Sequence, residues 1–176
     1  MKAIVIYKTR TGFTKQYAEW IQDELQCEIT DYEEISKLNF NDFQLVIYGS
    51  RVHAGKIDSL EKVKRLLDSK NCDLIVFATG ATPNAAAETI ENTMKNNFGD
   101  NPIPHFYMQS GLCYEKMGFA DKTIMKMLSK MLSSKKEKSD VENGTATAIR
   151  KSHNISDRSF ILPLTDYVKK TYGNTQ

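Results

Sequence analysis

"AIVIYKTRTGFT", residues 3–14, runs from an apolar stretch into a loop of three threonines, one arginine and one glycine. The apolar stretch shows no alternation with polar residues, which is the mark of a strand covered on both faces, as in a parallel sheet. Directly after the loop, Tyr17, Trp20, Ile21 and Leu25 recur at helical spacing across residues 14–25. The same succession repeats along the chain. "FQLVIYG" (43–49), "DLIVFAT" (73–79) and "IPHFYMQ" (103–109) read as buried strands, and "CEITDY" (27–32) as a more polar one. Helical patterns fall at 58–68, through Leu60, Val63, Leu66 and Leu67, and at 84–98, where Asn84 is placed to cap and Gly99 to terminate. Strand–helix alternation predicts a doubly wound α/β fold, a three-layer sandwich around a five-stranded parallel sheet.

A chain of 176 residues suits one domain, here 1–176, with 40% hydrophobic and 26% charged residues. A formal net charge of +2 is too small to attract nucleic acid by bulk electrostatics. Cys27, Cys72 and Cys113 are isolated and form no C-x-x-C pair, so neither a disulfide framework nor a metal centre is expected. That usage, with no signal-peptide pattern and no membrane-spanning run, points to the cytoplasm. The tail departs from the alternation. It reads as a helix near 118–133, a lysine-rich loop "SSKKEKSDVENGT" (133–145) and a last helix around 157–172, in which Pro163 either sits in the first turns or forms a kink. Residues of roughly 110–145 are therefore an insertion before the C-terminal helix, longer than a crossover requires.

Ligands of open parallel sheets bind beyond the carboxyl ends of the strands. "KTRTGFT" (8–14) lies there, where unpaired amides and the dipole of the following helix favour an anion. Thr9, Thr11 and Thr14 offer hydroxyls, and Gly12 lets the backbone curl around a phosphate. Neither a Walker loop nor a G-x-G-x-x-G fingerprint is present. An ordinary threonine-capped helix start is the plain alternative.

The pattern Thr9-x-Thr11-Gly12-x-Thr14 resembles the FMN-phosphate loop of the flavodoxin superfamily. That resemblance implies strand order 2-1-3-4-5 and bound FMN, with Thr9, Arg10, Thr11, Gly12, Phe13 and Thr14 around the phosphate. The next two strand ends carry "YGSRVHAGKI" (48–57) and "TGATPN" (79–84). By the same resemblance Ser50, Arg51, Val52, His53, Ala54, Gly55 and Lys56, together with Thr79, Gly80, Ala81 and Thr82, grip the isoalloxazine ring, their small residues permitting close approach. Simple flavodoxins commonly sandwich the ring between aromatics and are acidic; these loops offer Val52, His53, Ala81 and Thr82 instead and carry Arg51, His53 and Lys56 with no acid before Asp58. One cation at about 7 Å and an effective dielectric near 20 contributes roughly 2 kcal/mol, on the order of 100 mV per electron. An elevated flavin potential is the resulting expectation.

Taken with "SGLCYEKMGFADKTIMKMLSKM" (110–131), the loops resemble the flavodoxin-like, menaquinone-dependent protoporphyrinogen oxidases of bacteria. The resemblance implies an FMN oxidoreductase acting on a small-molecule redox substrate, a porphyrinogen or quinone, with the flavin itself doing the chemistry and His53 the candidate side chain. Lys122, Lys126 and Lys130 form a basic stripe; Phe119, Ile124, Met125, Leu128, Met131 and Leu132 form an apolar face. Such a helix suits peripheral membrane contact through 119–138 or a hydrophobic, acid-bearing substrate; a core-packing helix with solvated lysines fits the same spacing. A flavodoxin-type electron carrier without substrate chemistry is the alternative function. Phospho-acceptor chemistry is excluded, because Lys8-Thr9 and Gly49-Ser50 stand where receiver domains need acids.

Overall fold

A computed structural model describes residues 2–134 and 151–173. Its sheet contains β1 (Ala3–Lys8), β2 (Glu28–Asp31), β3 (Leu45–His53), β4 (Lys56–Ile57), β5 (Asp73–Gly80) and β6 (His105–Gln109). The parallel strands run in the order β2-β1-β3-β5-β6, the expected 2-1-3-4-5 arrangement. One strand was not anticipated: β4 turns back antiparallel on the end of β3, pairing Val52 with Ile57 and His53 with Lys56. The stretch read as a loop over 50–56 is thus a β-hairpin. Ala54 and Gly55 form its two-residue turn, with φ of 48° and 76°, as a hairpin turn matched to strand twist requires.

The helices are α1 (Phe13–Leu25), α2 (Leu60–Leu67), α3 (Ala87–Phe98), α4 (Phe119–Ser134) and α5 (Leu162–Tyr172). Alternate residues of each strand feed opposite cores. Ile4, Ile6, Val46, Tyr48 and Val76 pack with Val63, Leu67, Met94 and Phe98 of α2 and α3. Val5, Leu45, Ile47, Ile75 and Phe77 pack with Tyr17, Ile21, Leu164 and Val168 of α1 and α5. Burial on both faces explains why these strands read as unbroken apolar runs.

Two local expectations change. Asn84 does not cap α3: the helix starts after Ala86, following a turn in which the Ala86 amide donates to the Pro83 carbonyl. The last helix is preceded by a tight turn at Arg158–Ile161, and Pro163 lies in the first turn of α5, where its missing N–H costs nothing and no kink arises. The lysine-rich loop lies outside the described residues from position 135 onward.

Gly49 was read with the ring loop, but it serves the core. It sits mid-sheet between Tyr7 and Phe77, and a methyl there would stand 1.9 Å from Phe77 Cζ. The Phe77 ring, fully buried, occupies the space a side chain at Gly49 would need. Gly49→Ala should therefore lower stability by about 1–3 kcal/mol through overpacking. The measurement is a urea midpoint, shifted down with slope unchanged and partly restored by adding Phe77→Leu.

Candidate functional site at the carboxyl edge of the sheet

The first element of the site is the start of α1. Gly12, at φ 100°, takes the left-handed conformation that turns the chain into the helix, and its amide bonds back to Thr9 Oγ1 at 3.0 Å. No side chain caps the helix. The first-turn amides are therefore without the side-chain acceptor that usually satisfies one of them, which suits an anion. Thr14 takes a different place from the one its motif position implied. It is buried, and its hydroxyl pairs with that of Thr79 at 2.8 Å, tying α1 to the end of β5.

Beyond the strand ends lies a cavity of about 490 Å³, within the range of small-molecule and cofactor sites. Of the residues expected from sequence, Thr11, Phe13, Arg51, Val52, His53, Ala54, Thr79, Gly80, Ala81 and Thr82 line it. The others stand behind or beside it. Thr9 holds Gly12; Arg10 turns toward α4; Ser50 is buried, with its hydroxyl 3.4 Å from the Lys8 carbonyl; Gly55 receives Asn97; and Lys56 reaches the Asn96 carbonyl at 2.8 Å. Arg51, Val52, His53, Thr79 and Gly80 belong to strand ends rather than loops.

The opposite wall comes from the insertion, through Ser110, Gly111, Leu112, Cys113, Met117, Asp121, Ile124 and Met125, with Pro83, Ala86 and Thr89 completing the lining. Asp121 is the residue the sequence did not reveal. It is 9% exposed, and three basic side chains converge on it. His53 Nε2 lies 2.9 Å from Oδ1, outside hydrogen-bond alignment. Arg51 Nη1 lies 3.2 Å and Arg10 Nη1 3.4 Å from Oδ2. Arg51 also donates to Asp58 Oδ2 through Nε at 2.8 Å. Burial works to raise the Asp121 carboxyl, but the hydrogen bond and charge of Arg51, with His53 and Arg10, outweigh it and hold the group below its ordinary value. A depressed carboxyl stabilises the fold above the ordinary Asp range, and that contribution is lost as pH falls through the lowered value.

This cluster revises the electrostatic expectation. The guanidinium of Arg51 is answered by Asp58 and Asp121, and Lys56 points to a backbone carbonyl on α3. The share of the cationic field that belongs to Arg51 is therefore offset by carboxylates, one of them from far down the chain.

The residues fit FMN on two observations: a helix start with no side-chain cap placed for a phosphate, and a cavity flanked by two strand ends whose small side chains (Ala54, Gly80, Ala81) leave room for a flat ring. Among solved structures, the chain is similar to a flavoprotein in complex with FMN from Lactobacillus acidophilus NCFM, at 16% identity and TM-score 0.45 over 61% of this chain and 91% of that one. It is similar to a flavodoxin from the domain Archaea at 16% identity and TM-score 0.39, over 86% of this chain and all of that one. The Trp repressor binding protein from Bacillus subtilis gives 13% identity and TM-score 0.45, over 65% and 88%. No curated protein sequence matches. The family model described as a flavodoxin domain matches residues 4–140, most of the chain, and the protein accordingly belongs to the flavodoxin domain family, with FMN as its cofactor.

Proposed function

We propose that the protein is an FMN-dependent oxidoreductase that oxidises a large, apolar, acid-bearing substrate such as protoporphyrinogen IX and passes the electrons to a quinone. The observation that supports this reading best is the insertion. It is docked on the cofactor loops through Asp121, and it adds an apolar wall of Leu112, Met117, Ile124 and Met125 to the cavity. An electron carrier has no need of such a wall.

When bound, FMN supplies the redox chemistry, accepting a hydride or electrons from the substrate. The chain's own residues position and shield. The first-turn amides of α1 and Thr11 hold the phosphate end. Val52, Ala54, Gly80 and Ala81 flank the ring. Asp121 fixes Arg51 and His53 at the cavity wall. Cys113 lies at the rim, its thiol 3.4 Å from Glu115 Oε2, and contributes lining rather than chemistry.

Helix α4 supports contact with a membrane or with a membrane-borne acceptor. Among its described side chains, it leaves Phe119 89%, Met127 68% and Met131 61% exposed, with Lys126 and Lys130 also in solvent and Lys122 half-buried. Of the further apolar positions read from sequence, Ile124 is exposed at the cavity rim and Met125 packs with Leu112, while the side chains of Leu128 and Leu132 lie outside the description. No helix among the described residues is long and apolar enough to cross a membrane. A surface-lying helix with a basic flank and exposed Phe and Met is suited to an anionic interface.

The activity is tested by mixing FMN-loaded protein anaerobically with protoporphyrinogen IX and a menaquinone analogue. Six-electron conversion to the porphyrin without a nicotinamide is expected; a flavin that is never reduced by the porphyrinogen would leave the carrier reading in its place. Replacing Lys122, Lys126 and Lys130 by Glu should remove sedimentation with anionic vesicles, and equal sedimentation of the two proteins would rule out this docking face. Asp121→Asn should raise the midpoint potential of the FMN-loaded protein, on the order of 50 mV for one charge near the cavity, by spectroelectrochemical titration.

A further inference from the structure

The insertion reaches the phosphate loop as well as the ring end of the cavity. Lys116 ends the short turn Tyr114–Lys116 and donates from Nζ to the Thr11 carbonyl at 3.3 Å. A methyl on Gly12 would meet Lys116 Nζ at 3.7 Å and nothing else within 4 Å. The ammonium thus lies against the open side of the bend from which α1 begins. The turn that carries it is held from the other side: the Tyr114 amide donates to Ser152 Oγ at 2.9 Å, and Ser152 Oγ donates to Glu115 Oε2 at 2.7 Å.

The loop's own cation is directed elsewhere. Arg10 is drawn to Asp121, and its guanidinium lies so close to Gly118 that a methyl there would stand 2.3 Å from Nη2. Lys116, by contrast, has no carboxylate within ion-pair distance among the described residues. A lysine that donates one hydrogen to a carbonyl keeps two more for another acceptor. Flavin rings with and without a phosphate differ at one end only, and that end is where Lys116 stands.

We propose that Lys116 is a specificity residue for the cofactor: its ammonium, supplied by the insertion, pairs with the phosphate dianion and makes the site prefer FMN to riboflavin. The proposal rests on the FMN reading of this site. The test is titration of flavin-free protein with FMN and with riboflavin, followed by quenching of flavin fluorescence. Lys116→Met should weaken FMN about tenfold, as expected for loss of one charge-assisted hydrogen bond at an exposed position, and leave riboflavin unchanged. Lys116→Arg should keep most of the preference, and the salt dependence of FMN binding should flatten in the methionine variant. An unchanged FMN-to-riboflavin ratio in Lys116→Met, or an equal loss for both flavins, overturns the proposal and leaves the FMN site standing. Failure of the wild-type protein to bind either flavin overturns the site assignment itself.

Discussion

A parallel sheet covered on both faces has one place for polar chemistry, beyond the carboxyl ends of its strands. In this protein Val5, Ile6, Ile47, Tyr48, Val76 and Phe77 are sealed on one side or the other by helices. The cavity accordingly lies at one edge. The bend before α1, the hairpin at the end of β3 and the close of β5 all meet the same cavity because the sheet leaves them no alternative.

Within that edge the insertion changes the character of the site. Without Asp121, the β3–β4 hairpin would present the Arg51 guanidinium and the His53 imidazole to the cavity, with Asp58 as the counter-charge of Arg51. With it, the loop and the phosphate bend are joined through one buried carboxylate. A buried carboxylate holding several partners is costly to disturb, because removal of its charge strands the cations around it. The arrangement favours a site with fixed walls over one that closes only when occupied.

The strands, their order and the glycine bend that opens α1 were legible from sequence because each depends on neighbours in the chain: apolar continuity, helical spacing, a glycine before a helix. The contacts that shape the site depend on distance in space instead. Asp121 sits in a helix that reads as a lysine stripe, and its partners lie far upstream. Lys116 and Thr11 are 105 positions apart. Gly49 could be read only as loop permissiveness, since the ring that claims its space belongs to another strand. Loop composition likewise gave the charges of Arg51 and Lys56 but not their partners, because ion pairing is decided by packing.

The Gly111 backbone passes so near the His153 carbonyl that a Cβ would fall 1.9 Å from its oxygen, and Leu112 and His153 exchange paired backbone hydrogen bonds. The two ends of the excursion are thereby stapled side by side at the rim of the sheet. Chain added between them leaves the sandwich's own connectivity untouched, and doubling such a loop costs only about 0.6 kcal/mol of closure entropy. Length can thus be added between these two anchors at little cost, while the wall that Leu112 lends to the cavity stays where the pairing with His153 holds it.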